Sequence, residues 1–133
     1  MKSLLKKYRQ DLHRIPELGY EVYKTQAYIL ELLQQYNCEV SEVCGTGVCA
    51  FFQSREENGK GRNREHTIAL RSDMDGLPVI EETGAAYCSI HEGAMHACGH
   101  DGHMAMLLAL AGELDQIIHT LPHNVLLIFQ PAE

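Results

Sequence analysis

The chain has 133 residues, 45% of them apolar and 22% charged, the balance of a folded globular domain rather than of a disordered chain. That length buries roughly two-thirds of the unfolded surface, so one compact unit is expected over 1–133. The formal charge of -7 comes with no lysine-arginine cluster, so the basic footprint that nucleic acid or an anionic membrane requires is missing and neither partner is expected.

In chain order, Leu4, Leu5, Tyr8, Leu12 and Ile15 recur at helical spacing before Pro16, which predicts an amphipathic helix over 3–15. Tyr8, Arg9, Gln10 and Asp11 break the apolar run that a signal peptide would keep, and no stretch reaches the length of a membrane span, so a cytoplasmic protein is expected. After the turn-like PELGY, the residues Val22, Ile29, Leu30 and Leu33 predict a second helix ending near Asn37. CEVSEV (38–43) reads as a short strand and GVCAFFQ (47–53) as a stronger one. The charged stretch 54–66 carries no apolar residue and is expected to be an exposed loop joining two strands as a hairpin.

HTIALRSD (66–73) predicts the next strand, and Met104, Leu107, Leu108, Ala111, Leu114 and Ile117 predict a helix with a wide apolar face. NVLLIFQ (124–130) is almost continuously apolar, the pattern of a strand covered on both faces. Strand, crossover helix and strand in that order imply an α/β fold with a partly parallel sheet. The five cysteines are odd in number and follow no framework, so reduced thiols are expected.

Ligands of open α/β sheets gather outside the carboxyl ends of the strands. Asp73 and Asp75 follow one predicted strand and Glu133 follows another. Alternation puts Asp73 and Asp75 on the same side of an extended backbone. Between the strands, HEGAMHACGHDGHM (91–104) gathers His96, Cys98, His100, Asp101 and His103 near a helix start, a mixture of soft, borderline and hard donors for a divalent metal. Gly99 separates Cys98 from His100 and lets the backbone bend so that both approach one ion. Singly, each of these residues would read as a cap, a small core thiol or a solvated acid; as a cluster they are residue types that cores avoid. Two other readings of the cluster remain open. One is a non-catalytic metal-binding or interaction module built on Cys98 and His100, and the other is a thiol enzyme with Cys98 as nucleophile and His96 or His100 as base.

Taken together, LHRIPELGYE (12–21), LRSDMDGLPVIEETG (70–84), MHACGHDGHMAMLLALA (95–111) and LIFQPAE (127–133) resemble the amino-terminal segments of metal-dependent amidohydrolases of the carboxypeptidase/aminoacylase type. That superfamily includes hippurate hydrolase, N-acyl-amino-acid deacylases and auxin-conjugate hydrolases. The resemblance implies a zinc-peptidase-like catalytic domain, a mixed sheet flanked by helices, that holds two manganese or zinc ions and hydrolyses N-acyl amino acids. It implies Cys98 and His100 as metal ligands, Glu133 as general base and Asp75 as the acid supporting the metal site. The second glutamate of the family motif, further histidine ligands and the lid or dimerisation domain have no counterpart in the 133 residues. The resemblance therefore implies an amino-terminal fragment, inactive by itself, whose uncovered apolar surface favours a homo-oligomer.

Overall fold

A computed structural model describes residues 2–133. The first helix, α1 (Lys2–His13), stops short of Pro16, whose ring fits poorly inside a helix. It buries Tyr8, Leu12 and His13. The second, α2 (Tyr23–Leu33), is shorter than its periodicity suggested, because turns take over from Gln34 before Asn37 is reached. Strands β1 (Glu39–Val43) and β2 (Gly47–Phe52) form an antiparallel hairpin in which Val43 faces Gly47. The corner runs through Cys44 and Gly45 at φ 50° and 80°, a left-handed pair that turns the chain within three residues.

The remaining elements are β3 (Thr67–Asp73), α3 (His100–Ile117) and β4 (Asn124–Gln130). The sheet order is β1-β2-β4-β3, with β4 antiparallel to β2 and parallel to β3. The strand–helix–strand expectation and the mixed α/β sheet thus hold. The hairpin expected around 54–66 does not form, because β4 lies between β2 and β3 and takes the edge each would have offered the other. The loop closes on itself through an Arg55–Gly61 bridge, and buried Asn124 anchors it. Asn124 Oδ1 accepts from the Ser54 amide at 2.9 Å, while its Nδ2 donates to the Asn63 carbonyl at 2.9 Å.

The core lies on one face of the sheet. Val48, Ala50 and Phe52 of β2 pair in register with Phe129, Leu127 and Val125 of β4, and this surface packs against Ile29 and Leu33 of α2 and Met104, Leu108 and Ala111 of α3. Tyr8 and Leu12 of α1 join the same cluster. The expectation that β4 is covered on both faces fails: Leu126 and Ile128, on the far face, remain half-buried because all three helices pack on the near side. Ile117, read as part of the apolar face of α3, is 44% exposed, and a 3-10 turn over Ile118–Thr120 buries Ile118 in its place. No helix of the described residues is long and apolar enough to cross a membrane.

Candidate metal centre

Parallel pairing brings the carboxyl ends of β3 and β4 together, with Asp73 opposite Gln130. Glu133 follows three residues beyond β4, and α3 begins at the same end of the sheet with His100 as its first residue. The approach to α3 turns through Gly99 at φ 93°, a left-handed conformation open to glycine and strained for other residues. Sequence segments far apart are thereby focused on one point.

At that point Asp73, His100 and Glu133 each offer one ligand atom, all within 4.8 Å of one another. His100 is buried and oriented from behind: its Nδ1 donates to the Asp75 carbonyl at 2.9 Å. That bond fixes the tautomer and directs Nε2 toward the carboxylates, the arrangement metal-binding histidines use. Nε2 lies 3.1 Å from Glu133 Oε2. Asp73 Oδ1 is buried and accepts no hydrogen bond; Arg71 Nη2 is 3.3 Å away without hydrogen-bond geometry. A buried carboxylate oxygen with no donor is costly unless a cation completes it. Two carboxylates and one oriented imidazole therefore fit a divalent ion of the zinc or manganese type.

Asp75 stands behind this group. Its carbonyl orients His100, and its Oδ1 accepts from the Glu133 amide at 3.3 Å. Cys98 is exposed, and its Sγ lies 3.9 Å from the same Asp75 carbonyl, beside His100 but outside the compact three-residue group. Among the described residues no histidine hydrogen-bonds to Cys98, so the base that a thiol nucleophile needs is not assembled around it. His103 is exposed, with its ring centroid 5.8 Å from that of His100.

Asp73 enters the group as a full member, although the resemblance singled out Asp75; the alternation of the two acids was the signal for both. A second set was read only in part: Asp101 and His96 stood in the expected donor cluster, but their neighbours Arg9, His13 and Glu81 were missed. Asp101, directly after His100, is buried, and its Oδ2 meets Arg9 Nε at 2.9 Å and His13 Nδ1 at 2.6 Å. His13 Nε2 in turn donates to Glu81 Oε1 at 3.1 Å. Burial pushes the Glu81 carboxyl up, but hydrogen bonds from Thr83, the Ser89 amide and His13 outweigh it and hold it at about 2. His96 is buried with neither ring nitrogen paired, and burial drives its pKa down to about 4 against the opposing pull of Asp101. A larger depression of about 590 Å³ lies at the opposite end of the sheet, lined by Cys38, Arg55, Asp115 and His119 and remote from these groups.

The sequence profile of Peptidase family M20/M25/M40 matches residues 69–133, the part of the chain that builds this centre. An N-acetyldiaminopimelate deacetylase of Streptococcus gordonii is 45% identical over 132 residues, covering 96% of this chain and 32% of the relative. One from Halalkalibacterium halodurans is 47% identical over 127 residues, covering 94% and 32%. The fold superimposes on the Bacillus subtilis YXEP protein, described as a dinuclear metal binding peptidase from the M20 family, with a TM-score of 0.87 and 38% identity over 98% of this chain and 35% of that one. The chain thus spans about a third of the length of the proteins it matches. Matched in sequence over residues 69–133 and similar in fold over nearly its whole length, the chain resembles the M20-family metal-dependent amidohydrolases.

Proposed function

We propose that this chain supplies part of the catalytic centre of an enzyme that hydrolyses the amide of small N-acyl amino acids, N-acetylated diamino acids among them. The observation that carries the reading is the convergence of Asp73, His100 and Glu133 at the carboxyl ends of two parallel strands. The N-acetyldiaminopimelate deacetylases among its relatives support the substrate class.

In this reading Asp73, His100 and Cys98 would hold divalent metal, manganese or zinc, and the description of the YXEP protein supports a pair of ions in the assembled site. Bound metal would polarise the amide carbonyl and make a bound water acidic enough to ionise near neutral pH. The remaining work falls to the chain's own groups. Glu133 acts as the general base: its carboxylate takes a proton at Oε2, on the side that faces His100 Nε2, and returns it to the leaving nitrogen. Asp75 holds His100 in one tautomer through its carbonyl and tethers Glu133 through the main-chain amide. Cys98, exposed beside His100, would join the donor set through its sulfur. The five free thiols fit the reducing setting of the cytoplasm.

Two donors and a neighbouring thiol, with Glu133 kept as base, are too few to close a two-ion site, so the 133-residue chain alone is proposed to be inactive. The test compares the chain with a chimera in which it replaces the aligned third of the Streptococcus gordonii deacetylase, each assayed with N-acetyl-diaminopimelate and N-acetyl amino acids in Mn²⁺ or Zn²⁺. The chimera should turn over and Glu133→Gln in it should not. Turnover by the short chain would refute the inactivity proposal, and a folded, metal-loaded but inert chimera would refute the assignment.

A further inference from the structure

His13 has a carboxylate oxygen at each ring nitrogen, Asp101 Oδ2 at 2.6 Å and Glu81 Oε1 at 3.1 Å. A neutral imidazole has only one N–H, so this geometry is satisfied in both directions only by the imidazolium. All three side chains are at most 4% exposed. Arg9 adds a second cation, reaching Asp101 Oδ2 at 2.9 Å while its guanidinium sits 5.2 Å over the Tyr87 ring. Tyr87 also meets the His13 ring edge-on at 5.6 Å. Two cations and two anions from α1, the 81–89 segment and α3 thus alternate in the linear order Arg9, Asp101, His13, Glu81. Buried charges are tolerable in this form, paired and hydrogen-bonded, and the loss of one member leaves its partner buried and uncompensated.

Asp101, the member that joins Arg9 to His13, is the residue next to His100. The first turn of α3 has no side-chain cap, because Gly99 occupies the capping position. Besides the Gly102 and His103 amides bonding back to the Gly99 carbonyl and the His100 bond to the Asp75 carbonyl, it is restrained by Asp101, whose Oδ1 accepts from the Gly102 amide while Oδ2 is held by α1. A carboxylate there also complements the positive end of the helix dipole.

We propose that Arg9, His13 and Glu81 are positioning residues for His100, acting through Asp101. The proposal rests on the reading of His100 as a metal ligand. When Arg9 or His13 is removed, Asp101 loses a partner and the first turn of α3 loosens. The groups facing His13 are Arg9 on its own helix, Asp101 on α3, Glu81 and Tyr87 from the 81–89 segment, and His96 beside them.

The test is calorimetric titration of Co²⁺ into the 133-residue chain, alongside imidazole ¹⁵N spectra of the metal-free chain. His13→Gln, Arg9→Gln and Asp101→Asn should each weaken Co²⁺ binding by about 10–100-fold, the usual effect of removing a partner behind a metal ligand. Arg9→Lys should restore most of the loss, and His13→Gln should shift the His100 ring signals. A purely structural role would lower thermal midpoints without moving the His100 ring signals, and that outcome would overturn the proposal. His100→Ala separates the two readings: unchanged Co²⁺ affinity there refutes the metal site, and the ring spectra of His100 in His13→Gln then decide the linkage alone. If Asp101→Asn fails to fold, the Arg9 pair decides, because Arg9 is partly exposed and its substitution leaves the core intact.

Discussion

Asp73 and His13 show at the scale of single residues what sequence could and could not reveal. Asp73 was legible because two acids alternate at the end of a predicted strand; the strand ends on Asp73, and Asp75 follows in the loop beyond it. The partnership of His13 with Asp101 was not, since 88 residues separate them and nothing in the local pattern of α1 marks a buried histidine as half of a charge pair. Glu81 yields a pH prediction. Its carboxyl is held at about 2 in the folded chain against an ordinary 4.5, so its stabilising contribution is present above about pH 4.5 and is lost as the pH falls through about 2. Glu81→Gln should remove that component, and acid unfolding followed by circular dichroism should then start from a lower stability and show a shallower slope in this window. An unchanged slope would contradict the assigned interactions.

Elements were legible where a period was long and clean. NVLLIFQ became β4 with the expected bounds, and α1 ended near the proline that forecast its end. The connection over 54–66 misled because a polar loop between two strands looks the same whether the strands pair directly or admit a third between them; only the non-local insertion of β4 decides. Two substitutions probe this level. Asn124→Ala removes both anchors of the loop and leaves the Ser54 and Asn63 backbone groups unpaired, which should cost about 1–3 kcal/mol in urea unfolding. Gly99→Ala meets no steric obstacle to its methyl group, yet forces an L-residue into φ 93°, so about 1–2 kcal/mol of destabilisation should appear together with weakened metal binding. Loss of stability with intact metal affinity would show that the turn at Gly99 does not position His100.

For the molecule as a whole, the family was readable from four short motifs because metal chemistry restricts residue types more tightly than packing does. The one-sided core was less readable, since an apolar strand looks alike whether its second face is fully or half covered. Ile68 and Leu70 on the edge strand β3 are 49% and 39% exposed, and Leu126 and Ile128 are half-buried. An apolar, unpaired edge of this kind promotes association. Light scattering should therefore show concentration-dependent self-association of the chain, and a monomer at all concentrations would contradict that expectation. The account depends above all on a divalent ion being held where β3, β4 and α3 converge. Calorimetric titration of Zn²⁺ into the wild type, His100→Ala and the remote, exposed His119→Ala tests this most directly. The account predicts saturable binding that falls at least about tenfold in His100→Ala and is unchanged in His119→Ala; equal affinities in all three chains would contradict it.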